Sequence, residues 1–150
     1  MTTKRSVDDF LSQQSLALVG ASRSGKKFGN TILKELLANG YHVIPVHPTA
    51  TMIAGRRCAP SLAALPETVG GVVTVVPPAE TERVVEEAHA AGIRRVFMQQ
   101  GSSSERALRF CAEHEMEAIS GECLLMFLRK GPAIHRVHRW WKGVFRALPA

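Results

Sequence analysis

Five short apolar runs, each cut off near a glycine or a proline, alternate along this chain with longer segments whose apolar residues recur at helical spacing. The runs at residues 16–19 (LALV), 41–46 (YHVIPV), 72–76 (VVTVV), 95–98 (RVFM) and 116–120 (MEAIS) predict strands. The third is entirely β-branched and has no polar face, the pattern of a central strand covered on both sides. Between the runs, residues 25–39 place Phe28, Ile32, Leu33, Leu36 and Leu37 on one helical stripe, and Asn39-Gly40 ends it. Residues 79–91 turn Val84, Val85 and Ala88 inward before Gly92, and residues 105–114 follow a serine-rich start. A short helix is expected at 6–11, with Ser6 as cap, Asp8 and Asp9 in its first turn, and the sheet edge as its packing partner. Residues 61–65 predict another short helix, and 47–60 a loop with at most one helical turn. Strands and helices alternating in this way imply an α/β fold. Its centre is a doubly wound parallel sheet of about five strands, with ligands bound above the carboxyl ends of the strands.

The first strand runs into GASRSGKKFGN, residues 20–30, a glycine-, serine- and lysine-rich turn before a helix. Such a turn offers backbone N–H groups to a phosphate. Gly20, Gly25 and Lys26 satisfy G-x-x-x-x-G-K, but Lys27 stands where a nucleoside triphosphatase needs a hydroxyl for magnesium, and no later strand ends in the Asp that would hold the metal. Against the dinucleotide pattern G-x-G-x-x-G, Ser22 replaces the middle glycine between Gly20 and Gly25. The end of the second strand separates the remaining ligands. Where an NAD protein places an acid for the ribose hydroxyls, this chain has His47 and Pro48, and no acid follows before Glu67. Arg56 and Arg57 lie nearby instead, which suits a ligand with a phosphorylated ribose, coenzyme A or NADP. Read blandly, two adjacent arginines only solvate a loop.

Composition narrows the class further. At 150 residues, 45% hydrophobic and 21% charged, the chain is long enough for one domain with a core. MTTKRSVDDF lacks the apolar centre of a signal peptide, and no run approaches the roughly 20 apolar residues that span a bilayer, so a cytoplasmic location is expected. Cys58, Cys111 and Cys123 form neither a metal knuckle nor a C-x-x-C pair, so reduced thiols are expected. The net charge of +6 is concentrated: residues 1–128 carry 13 basic and 13 acidic groups, whereas 129–150 carry six basic groups and no acid. Within that tail, residues 132–148 predict an amphipathic helix with Ile134, Val137, Trp141, Val144, Phe145 and Leu148 on one side. Its basic side could meet nucleic acid, an anionic surface or an acidic partner, or simply be solvated. The expected organisation is thus a core over 14–128 followed by a basic helix over 129–150.

Each unusual loop leaves the carboxyl end of a strand: Gly20-Ala21-Ser22, His47-Pro48, Val76-Pro77-Pro78, Gln100-Gly101 and Gly121-Glu122-Cys123. Any one of them reads as an ordinary turn or helix start. Together they predict a shared rim and a ligand site.

The segments LALVGAS with its following helix, GYHVIPVHP, IAGRRCAPSLAALP, VVTVVPP and VFMQQG, with ISGEC near the end, resemble the CoA-binding domain proteins over residues 16–123. These are single-domain relatives of the nucleotide-binding domain of the succinyl-CoA synthetase alpha subunit. The resemblance implies a Rossmann-like domain on which Gly20, Ala21, Ser22 and Arg23 meet the phosphates of coenzyme A. It further implies that His47 and Pro48 flank the adenosine, that Val76, Pro77 and Pro78 line the neighbouring wall, and that Met98, Gln100 and Gly101 close the other side. Arg57 is the candidate for the ribose phosphate. The chain departs from the family at His47, where Asn is commoner, and in Gly121-Glu122-Cys123-Leu124, which lacks the expected Asp and Pro. In the synthetase, catalysis needs a phosphorylated histidine in a further domain and a partner subunit. These residues hold neither, and an acyl-CoA ligase acting alone is not expected.

Three function classes remain. The first is a non-catalytic sensor or carrier that holds coenzyme A or an acyl-CoA, with no catalytic residue, no metal and a possible homo-oligomer. The second is an enzyme, either NADP-dependent or a thiol-transfer catalyst using Cys123. Against it, the chain has no Tyr-x-x-x-Lys pair, no Ser and His triad spacing, and no metal-ligand pattern beyond His135-x-x-His138. The third is a nucleic-acid or partner-binding protein acting through the basic tail.

Overall fold

The computed structural model describes residues 2–130 of the chain. The amphipathic helix expected across 132–148 lies outside the described residues. Five parallel strands form the sheet: β1 (Ser15–Val19), β2 (His42–Val46), β5 (Gly71–Thr74), β6 (Arg95–Gln99) and β7 (Glu117–Glu122), in the spatial order β2-β1-β5-β6-β7. Two further strands, β3 (Met52–Ile53) and β4 (Arg56–Arg57), make a small antiparallel hairpin. The helices are α1 (Lys4–Leu11), α2 (Phe28–Ala38), α3 (Pro78–Ala90), α4 (Glu105–Glu113) and α5 (Leu124–Lys130). The α/β, doubly wound architecture expected from the alternating pattern is therefore the observed one.

Because strand side chains alternate, the sheet feeds two cores. Leu16, Leu18, Val43, Val73, Phe97 and Ile119 point to the side covered by α1, α2 and α5, while Ala17, Val72, Val96, Met98 and Ala118 point to the side covered by α3 and α4. Val72 and Val73 are both fully buried, as a strand enclosed on both faces requires. Phe10 of α1 packs tilted against Phe97, ring centres 5.5 Å apart, and lies under Gly71, where a Cβ would come within 2.5 Å of its ring. The first helix thus packs on the face of the sheet over β6 and the edge strand β7. It also begins earlier than expected. Thr3 is the cap, in a reciprocal capping box with Ser6, so Ser6 lies inside the first turn.

Two other expectations are corrected. Residues 47–60 contain the β3–β4 hairpin and no helical turn, because Ala54 and Gly55 take φ of +52° and +76°, the paired left-handed conformation of a tight hairpin turn. Ala59 then rejoins the sheet beside β2, with Ala59 N–H donating to Pro45 O and His47 N–H to Ala59 O, both at 2.9 Å. The helix after β1 starts at Phe28 and not at Gly25, and Phe28, at its first position, is 48% exposed rather than on the buried stripe.

Candidate functional site

The strand order reverses between β1 and β5: the chain steps from β1 out to β2, then returns to lay β5 on the other side of β1. Crossovers leaving in opposite directions at such a point open a crevice above the carboxyl ends of the two strands. The loops bordering it touch. Gly20 sits at φ +133°, and a Cβ there would lie 2.3 Å from the Val75 carbonyl oxygen. A Cβ on Gly29, in the first turn of α2, would lie 2.3 Å from the Gly20 carbonyl oxygen. Gly29, not Gly25, is therefore the glycine that lets the helix close onto the loop. Gly25, at φ +77° with open space around it, only turns the chain.

The helix starts differ in kind. Thr3 caps α1, Ser104 caps α4 by accepting from Ala107 N–H at 3.0 Å, and Gln99 Oε1 accepts from Leu124 N–H at the start of α5, also at 3.0 Å. The two helices that flank the crevice, α2 and α3, have no side-chain cap. On the α2 side the loop carries Arg23, Lys26 and Lys27, all exposed and without an ion pair among the described residues. Uncapped amides, a helix dipole and three cations at one end of a helix all favour a negatively charged group there.

The β5–α3 loop is held by hydroxyls. Ser102 Oγ lies 3.0 Å from Thr74 Oγ1 and 2.8 Å from Thr81 Oγ1, and donates to the Val76 carbonyl at 2.7 Å. All three hydroxyl residues are buried, so one donor and two acceptor positions are filled without water. This knot fixes Val76-Pro77-Pro78 against the β6 exit loop, where Gly101 takes φ +90° and Gln100 N–H donates to Glu122 O at 3.0 Å.

Gly20, Ala21, Ser22, Arg23, His47, Pro48, Val76, Pro77, Pro78, Gln100 and Gly101 all lie at the carboxyl ends of the parallel strands. Ala21 is 6% exposed, so its methyl faces the core. His47 Nδ1 accepts from the Ala50 and Thr49 amides at 2.9 and 3.1 Å, which makes the ring a staple for its own loop. Arg57 and Arg56 are exposed on β4, in the hairpin beside β2, and neither has an ion pair among the described residues. Met98 differs from the rest: it is fully buried among Val72, Val84 and Val96 and offers no surface to the rim. Its neighbour Gln99 is buried as well, 3% exposed, and spends its side chain on the Leu124 amide at the start of α5. Asn30, Gln99 and Ser102 were all missed, because a lone polar residue near a helix start or strand end carries no pattern. Only their buried hydrogen bonds reveal them.

The thiols separate by environment. Cys111 is buried in α4, and desolvation pushes its pKa up to about 11. Cys58, after β4, is raised by burial as well, and both it and Cys123 pack half-buried against the α2-side core. Among the described residues no cluster of three or more His, Cys, Asp or Glu could hold a metal ion, and no helix is long and apolar enough to cross a membrane.

The sequence pattern of the CoA binding domain matches residues 14–129, from just before β1 into α5. The chain belongs to the CoA binding domain family. Two ADP-forming acetate–CoA ligases of Archaeoglobus fulgidus, II and I, are 33% and 32% identical to it over 100 and 122 residues, or 65% and 74% of this chain. The chain spans only 15% and 18% of their lengths. Among solved structures, a conserved hypothetical protein from Pyrococcus furiosus is 40% identical with a TM-score of 0.72, covering 75% of this chain and 97% of that one.

Proposed function

We propose that the protein binds coenzyme A or an acyl-CoA as a non-catalytic sensor or carrier, with the diphosphate on the loop 20–29. The observation that carries this reading is the uncapped start of α2, ringed by Arg23, Lys26 and Lys27, at the strand-order reversal of a CoA binding domain. The β2 exit supports coenzyme A over NAD, since it presents His47 and no acid for two ribose hydroxyls. Arg57 and Arg56 on the adjacent hairpin suit the ribose phosphate, and His47 with Pro48 would flank the adenosine. Val76, Pro77 and Pro78 form the facing wall, and Gln100 with Gly101 its far end. The ligase activity named for the Archaeoglobus relatives is not carried over, because the match covers less than a fifth of their length. Native mass spectrometry of protein purified without added ligand tests the reading directly, with calorimetry comparing coenzyme A, NADP and NAD. Coenzyme A should bind most tightly of the three. Tighter binding of NADP would overturn the assignment.

A further inference from the structure

One buried amide holds the loop after β1 in shape. Asn30, 6% exposed in the first turn of α2, accepts from Ser22 N–H at 3.0 Å and from the Ser22 hydroxyl at 3.3 Å. Its Nδ2 donates to the Ser22 carbonyl at 2.9 Å. Both backbone groups of Ser22 are thus tied to a single side chain eight positions along. The Ser22 amide, pointing at Asn30, is not available to an anion. Gly25 N–H is also engaged, with Ser22 O at 3.2 Å, and Lys26 N–H with Ser24 Oγ at 3.3 Å. The amides of Arg23, Ser24, Lys27 and Phe28 have no hydrogen-bond partner among the described residues.

We infer that Asn30 is the positioning residue of the anion site. Resting on the coenzyme A reading above, it locks the loop so that these four amides and the helix start converge on the diphosphate, without itself touching the ligand. The side chain has to accept and donate at once, and it has to be neutral. A carboxylate of the same shape would keep the two accepted bonds, repel the Ser22 carbonyl and set a negative charge behind the phosphates. Alanine would leave the Ser22 amide unpaired in a half-buried loop.

Calorimetric titration of the full-length wild-type protein, Asn30→Asp and Asn30→Ala with coenzyme A, from about pH 8 down to about pH 4.5, tests the inference. Asn30→Asp should bind at least about tenfold more weakly than wild type at the upper pH, and the ratio should narrow as the carboxyl protonates and regains a donor. Asn30→Ala should lose about fivefold with a ratio that does not change with pH. Thermal melts report whether each variant folds, and Asn30→Asp, which keeps the shape and two of the bonds, carries the test if Asn30→Ala does not. If the wild type binds and the variants match it, or if the Asn30→Asp loss is the same at every pH, the positioning role is wrong while the coenzyme A reading stands. If the wild type does not bind coenzyme A, both fall.

Discussion

A carboxylate at position 22 would replace a hydroxyl that now bridges Asn30 and Ser24, at 3.3 and 2.9 Å, on the loop proposed to hold the diphosphate. Ser22→Asp should weaken coenzyme A binding more than tenfold, about 1.4 kcal/mol or more, measured by calorimetry. Unchanged affinity would place the phosphates elsewhere. The thiols give a second measurement at this scale. Cys111, with its pKa pushed up to about 11 by burial, holds almost no thiolate near neutral pH, so alkylation should leave it unlabelled while Cys58 and Cys123 react. The sign for stability follows from the same shift. Because the folded state holds the proton more tightly, this contribution is complete below about pH 9 and is lost as pH rises towards 11. Protection of Cys123 from alkylation by coenzyme A would place it near the ligand; equal labelling with and without ligand would count against that.

At the scale of elements, two contacts decide how the site is assembled. Gly29 lets α2 close to within van der Waals reach of Gly20, and a methyl there would meet the Gly20 carbonyl at 2.3 Å. Gly29→Ala should therefore lower stability by roughly 1–3 kcal/mol and weaken coenzyme A binding, because the helix start must move away from the loop. A denaturation curve matching wild type would show that the loop yields freely. The β3–β4 turn offers a gain instead. Ala54 sits at φ +52°, where Asn is better tolerated, and Ala54→Asn should raise stability by about 0.5–1 kcal/mol without changing affinity. Both elements mark where sequence periodicity stops being informative. The five strands and the main helices were legible because each buries a run or stripe long enough to repeat. A hairpin of two-residue strands has no period to read, and the start of α2 is set by a glycine packing on a distant glycine. The rim was legible through its glycines and prolines. What holds it, Asn30 and the Ser102 knot, was not, since hydrogen bonds across 8 to 28 residues leave no local trace.

At the scale of the whole chain, the described sheet, its two cores and the candidate rim residues lie within residues 2–130, and the sequence from 131 onward adds four basic groups, no acid and the apolar positions 134, 137, 141, 144, 145 and 148. Every candidate rim residue precedes position 131, so deleting 132–150 should leave coenzyme A affinity within about threefold, less than 1 kcal/mol. Six apolar positions at helical spacing point to burial, each worth about 1.5–3 kcal/mol when fully covered, so their loss should lower the melting temperature or change the assembly seen by light scattering. The basic positions make a different prediction if they are the working face: binding to DNA or anionic vesicles that weakens steeply with salt and disappears with the deletion. A truncated protein of unchanged stability and assembly that has lost only such salt-sensitive binding would assign the tail to an anionic partner. A less stable or re-assembled one that never bound DNA or vesicles would assign it to packing, within the chain or against a second copy.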